Sequence, residues 1–91
     1  MKIVLNNGVE YGATWCGTSD GVLYAELVDA GTIPELAQVF DDAEATETIK
    51  SVSGNHTEEY RGFTNFLGVR KDRYNGYITI TLQKMTDYRE V

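Results

Sequence analysis

The chain holds one cysteine, Cys16, and one histidine, His56, so only one thiol–imidazole pair is available to it. A nucleophilic thiol needs a base within reach and a third group to orient that base. Cys16 follows Trp15 in a strand-like stretch, and no third group is evident beside His56. A structural cysteine and a surface histidine are therefore expected. A structural zinc site takes about four Cys or His ligands, more than this chain can supply, and a single cysteine cannot close an internal disulfide. The acidic group Asp41, Asp42, Glu44 and Glu47 could offer oxygen ligands to a hard cation. It lacks the D-x-D-x-D-G spacing of a calcium loop and reads as a solvated acidic segment. Glu58 and Glu59 are neighbours on a strand-like run, so they point to opposite faces and cannot act as a carboxylate pair. Gly62, Gly68 and Gly76 fit no phosphate-loop spacing. Asn55-His56-Thr57 matches a glycosylation sequon by chance. No catalytic residue, metal or cofactor is expected, and the chain is not read as an enzyme.

The remaining chemistry is aromatic and basic. Tyr60, Arg61, Phe66, Arg70, Arg73, Tyr74 and Tyr77 are the candidate protein-interface residues, because Tyr, Phe and Arg are enriched at the centres of protein contacts. Phe66 and Tyr77 are the expected anchors. The same mixture could stack on single-stranded nucleic acid. The competing reading makes the Phe rings core and the Tyr and Arg side chains ordinary sheet surface.

Turn signals place these residues on strands. Asn7-Gly8 separates Lys2–Leu5 from Val9–Tyr11, Ser19-Asp20-Gly21 separates Ala13–Thr18 from Val22–Val28, and Asn75-Gly76 precedes Tyr77–Gln83. Asn-Gly and Asp-Gly suit tight hairpin turns. Period-two alternation puts Leu23, Ala25 and Leu27 on one face of their strand, and Ile78, Ile80 and Leu82 on one face of the last. One helix interrupts the strands. Thr32-Ile33-Pro34-Glu35 fits a capping box, Pro34 is tolerated in a first turn, and Ile33, Leu36, Ala37 and Phe40 form an apolar stripe that Asp41-Asp42 ends. Glu47–Val52 is a further short strand. Glu58–Arg70 reads as one long strand in which adjacent Phe66 and Leu67 demand a bulge near Gly62 or Gly68, or an exposed ring. The tail Met85–Val91 shows no pattern and is expected to fray. The fold class is α+β: a mainly antiparallel sheet, made of a meander plus a C-terminal hairpin over Tyr60–Lys84, with one short helix packed on it.

At 91 residues the chain is one domain, 1–91, able to bury a single core. Its apolar fraction of 42% separates it from disordered chains. No apolar run is long enough for a membrane span, and Ile3-Val4-Leu5 stops too early for a signal peptide; a host-cytoplasmic location is expected, with incorporation into a particle as the further option. The net charge of −6 is split. Residues 1–60 hold two bases and eleven acids (2 − 11 = −9), and residues 61–91 hold six bases and three acids (6 − 3 = +3). The acidic total argues against general nucleic-acid binding, and the polarity suits head-to-tail self-association.

The opening Met1-Lys2-Ile3-Val4-Leu5-Asn6-Asn7-Gly8 is similar to the openings of small proteins encoded in the tail modules of tailed bacteriophages and prophages. The helix Ile33–Phe40 after a meander, and Tyr60-Arg61-Gly62-Phe63-Thr64 followed by Tyr77–Lys84, also resemble their layout. That resemblance implies a non-enzymatic structural or assembly protein. Its partners would be itself, in a ring or stack, or another phage structural protein. The alternative is an acidic inhibitor of a host defence protein that mimics nucleic acid, which requires the acids of residues 1–60 to share one face.

Overall fold

Turn chemistry sets the order of the strands. The computed structural model describes residues 1–85. Along the chain lie β1 (Lys2–Val4), β2 (Glu10–Ser19), β3 (Val22–Val28), α1 (Ile33–Phe40) and α2 (Ala43–Thr46). They are followed by β4 (Thr48–Ser53), β5 (His56–Arg61), β6 (Asn65–Lys71) and β7 (Ile78–Gln83). Asp20 and Gly21 have φ of 53° and 76°, the pair of positive angles that a two-residue hairpin turn needs, and they join β2 to β3 with Ser19 opposite Val22. Gly54, at φ 60°, opens the two-residue turn between β4 and β5. All seven strands form one antiparallel sheet in the order β5-β4-β1-β2-β3-β7-β6.

The expected meander is present with a different strand count. The expected strands Val9–Tyr11 and Ala13–Thr18 merge, from Glu10 on, into one strand, β2, which absorbs an extra residue, Thr14, as a bulge between Ala13 and Trp15. Glu58–Arg70 is two strands, not one. Gly62 adopts φ 82°, a left-handed angle that ends an extended run, and Phe63 turns inward to 6% exposure. The C-terminal hairpin is therefore β6–β7 alone, and Tyr60 and Arg61 lie outside it. Leu67 is the extra residue of a second bulge, between Phe66 and Gly68.

The two edge strands, β5 and β6, are joined by only Gly62-Phe63-Thr64. Strand twist of roughly 20–25° per neighbour accumulates across seven strands, so the sheet coils until its edges approach. Gly62 closes the seam. Its N–H donates to Glu47 O at 2.9 Å, and its carbonyl accepts from Met85 N at 2.9 Å. Of the tail Met85–Val91, only Met85 lies within the described residues.

The inner face of the coiled sheet is the core. Ile3, Leu23, Ala25, Leu27, Ile49, Ile78, Ile80 and Leu82 are buried there, following the alternation legible in β3 and β7. α1 closes over them and caps itself as expected. Thr32 Oγ1 accepts from Glu35 N at 3.3 Å, and Glu35 Oε1 accepts from Thr32 N at 3.1 Å. Its docked face centres on Leu36, Val39 and Phe40, with the Phe40 ring 5.6 Å from Tyr11. Ile33, placed on the apolar stripe by its spacing, stays 38% exposed because that face is rotated toward Val39. Asp41 caps the C-terminus of α1, and Asp42 then caps a second helix, α2, by accepting from Glu44 N at 3.0 Å. Two short helices thus accompany the sheet where the sequence pattern gives one. Asn6 docks α2 on the end of β1: its backbone N–H donates to Ala45 O at 2.9 Å and its side-chain amide to Glu44 O at 3.1 Å. Among the described residues no helix is long and apolar enough to cross a membrane.

Candidate interaction surface

The two bulges decide what the outer face of the sheet presents. Without Thr14 as an extra residue, Trp15 would share the inward face with Ala13. The bulge instead sets Trp15 opposite Glu26 and returns Cys16 to the face of Ala25. Trp15 is 53% exposed, and its ring lies 6.5 Å from Tyr24 and over the bare backbone of Gly17. At the other edge the second bulge releases Leu67 to 51% exposure. Gly17, Tyr24, Thr81 and Gly68 are paired in turn across β2, β3, β7 and β6. A row therefore crosses the outer face, with Trp15 and Tyr24 toward one end, Thr81 between, and Leu67 at the other. A shallow groove of about 390 Å³ lies along it, lined by Tyr24, Leu67, Gly68, Arg70, Thr79 and Thr81.

The fold scatters the aromatic and basic residues that the sequence groups together. Arg61 ends β5 on the outer face, its Nε donating to Glu59 Oε1 at 3.0 Å. A second concavity of about 270 Å³ lies there, lined by Val4, Asn6, Thr48, Lys50, Glu59 and Arg61. Phe66 sits at the opposite edge of the sheet, opposite Leu82, half-buried against the core. It is a packing residue and not an exposed anchor. Arg70 is exposed on β6 opposite Thr79, on the face of the groove. Arg73 and Tyr74 occupy the β6–β7 turn, where Tyr74 is 91% exposed. Asp72 shapes that turn by accepting from Tyr74 N at 2.7 Å and Asn75 N at 3.3 Å. Tyr77 is half-buried at the base of β7, its N–H donating to Asn75 Oδ1 at 2.8 Å. The candidates thus fall into two groups: Tyr60 and Arg61 at one edge, and Arg70, Arg73 and Tyr74 on the β6–β7 hairpin. Sequence reasoning missed Trp15, Tyr24 and Leu67. The adjacent pair Phe66-Leu67 signalled the second bulge, but nothing in the pattern located the first.

The inner face carries one polar line. Tyr60, Glu58 and His56 alternate along β5, opposite Ile49, Ser51 and Ser53. Tyr60 Oη donates to Glu58 Oε1 at 2.9 Å, and His56 Nε2 lies 3.5 Å from Glu58 Oε2. Burial pushes the Cys16 thiol up to about 11, and the nearby Glu58 carboxylate adds to the shift. Burial, reinforced by the hydrogen bond to Glu58, raises the Tyr60 phenol to about 12. A nucleophilic cysteine needs its thiolate stabilised, and these surroundings do the reverse. Among the described residues no three of His, Cys, Asp and Glu converge as metal ligands.

No family model, curated protein or solved structure matches this chain.

Proposed function

We propose that the protein works through protein–protein contact, as a non-enzymatic structural or assembly protein of a tailed phage or prophage. The observation that carries the contact reading is the outer face. Trp15 and Leu67 are each about half exposed, in one row with Tyr24 across four strands. Large apolar side chains left exposed on one face, here with Thr81 and Arg70 among them, suit a contact surface, and Trp and Tyr are over-represented among residues that dominate contact energy. The phage assignment rests on the resemblance of the opening residues, the central helix and the last strands to tail-module proteins. The alternative, a nucleic-acid mimic, asks for one acidic face. Asp20 lies in the β2–β3 turn, Glu26 on the outer face, Glu58 on the inner face of β5, and Glu35 to Glu47 on the helical segment. That dispersal favours the contact reading. The test is genetic and biochemical. Interrupting the reading frame in its phage or prophage is expected to leave incomplete particles, with the protein found in wild-type particles or their assembly intermediates by mass spectrometry. Normal particle yield and infectivity without the chain would overturn the assignment.

A further inference from the structure

Two exposed charged surfaces of opposite sign lie at separate places on this fold. The first is the turn between α1 and α2 with the start of β4, where Asp41, Asp42, Glu44 and Glu47 give −4 over seven residues with no base among them. The second is the tip of the β6–β7 hairpin, where Arg70, Lys71 and Arg73 against Asp72 give 3 − 1 = +2 beside the bare ring of Tyr74. The three ion pairs of the described residues, Lys2–Glu10, His56–Glu58 and Arg61–Glu59, involve neither surface. Their own fold does not join them. The acids lie beyond the C-terminus of α1, with α2 held by Asn6 at the end of β1; although α1 packs against β6, no ion pair links the turn to the hairpin tip among the described residues.

We propose that the partner of this surface is a second copy of the chain: the acidic α1–α2 turn of one copy docks on the basic β6–β7 tip of the next. This rests on the reading that the protein acts by contact, and names the partner. The two patches differ, so the contact is heterologous, and repetition gives a ring if the rotation closes and a filament if it does not. Opposed potentials steer the encounter and fix its register. Tyr74, amphipathic and exposed, with its backbone N–H fixed by Asp72 at the tip, supplies area at the centre of the contact. The row from Trp15 to Leu67 adjoins Arg70 and is the surface a neighbour would next cover.

The experiment is sedimentation velocity of the full chain at about 50 and 500 mM salt, conditions between which surface charges become strongly screened. Two variants accompany the wild type: Arg70→Glu with Arg73→Glu, and Glu44→Lys with Glu47→Lys, all exposed side chains outside the core. The wild type is expected to associate at low salt, with a dissociation constant roughly tenfold or more weaker at high salt. Each variant alone should sediment as a monomer: Arg70→Glu with Arg73→Glu leaves 1 − 3 = −2 at the tip against −4 at the turn, and Glu44→Lys with Glu47→Lys leaves 2 − 2 = 0 at the turn, with nothing to attract the +2 tip. Mixed in equal amounts, the variants should associate again, since the intact −4 turn of the arginine variant meets the intact +2 tip of the glutamate variant. A wild type that stays monomeric at high concentration and low salt overturns the proposal, as does association that survives both reversals or two folded variants that fail to recover on mixing. Thermal unfolding checks each variant's fold. Should a reversal unfold, Arg70→Gln with Arg73→Gln removes the charge alone and must still weaken association. A monomeric wild type would leave the particle test untouched, so self-docking and the assembly assignment fail separately.

Discussion

Single residues carry a large share of a core this small. Phe40 is almost fully buried and stacks against Tyr11. Phe40→Ala is expected to cost about 3–5 kcal/mol, from lost transfer energy and the cavity left behind. Urea titration measures it, and a loss under about 1 kcal/mol would contradict the packing. Gly62 matters through its backbone. A side chain there would meet little but Lys84, yet its φ of 82° strains any L-residue. Gly62→Ala is expected to destabilise by about 1 kcal/mol or more, while the same change at Gly68, which has no positive φ and nothing within 4 Å of an added Cβ, should be far milder. Cys16 shows how environment overrides residue type. Its pKa, raised from 9.0 to about 11, leaves about a hundredth of the usual thiolate at pH 8. Alkylation by iodoacetamide should be correspondingly slow in the native protein and fast in denaturant. Because the native value is the higher one, this thiol's contribution to stability is complete below pH 9.0 and is lost as the pH rises toward 11.

At the scale of elements, α1 is the case where local rules and the fold agree. Thr32, Pro34 and Glu35 specify its start, and the helix begins at Ile33 as the capping box requires. Thr32→Ala should cost about 1 kcal/mol in chemical denaturation. Glu35 gives the same cap a pH dependence. The backbone N–H of Thr32, and next its hydroxyl, hold the Glu35 carboxyl below its ordinary 4.5. A lowered native value means the cap's contribution is fully present above pH 4.5 and is lost as the pH falls through the native value. Glu35→Gln should flatten that acid limb of the stability curve. The strands β3 and β7 were equally legible, since each has one apolar face and pairs centrally in the sheet. The run Glu58–Arg70 was not. Periodicity sees extended residues on both sides of Gly62 and has no term for a positive φ between them, so two strands at opposite sheet edges read as one.

At the scale of the molecule, the outer face should separate function from stability. Trp15→Gln and Leu67→Gln remove apolar area that is already half exposed, so each is expected to change stability by under about 1 kcal/mol. On the assembly role proposed above, the double variant, folded by circular dichroism, should lose particle incorporation in a complementation assay. Full complementation would show that this face is not used.

The elements whose information is local are legible from the residues alone: the hairpin turn at Asp20-Gly21, the capped helix Ile33–Phe40, and the alternating cores of β3 and β7. So is the charge split, which is composition and position alone. Which aromatic residues share a surface depends instead on strand pairing. The grouping of Tyr60 and Arg61 with Arg70, Arg73 and Tyr74 is a grouping along the chain. Gly62 ends β5 and turns the chain into β6, whose length carries Arg70, Arg73 and Tyr74 away from Tyr60 and Arg61. Trp15, Tyr24 and Leu67, far apart in sequence, meet in one row because strand pairing and two single-residue bulges set their faces. A bulge shifts every later side chain by one place, and its position depends on the partner strand, which no local pattern records.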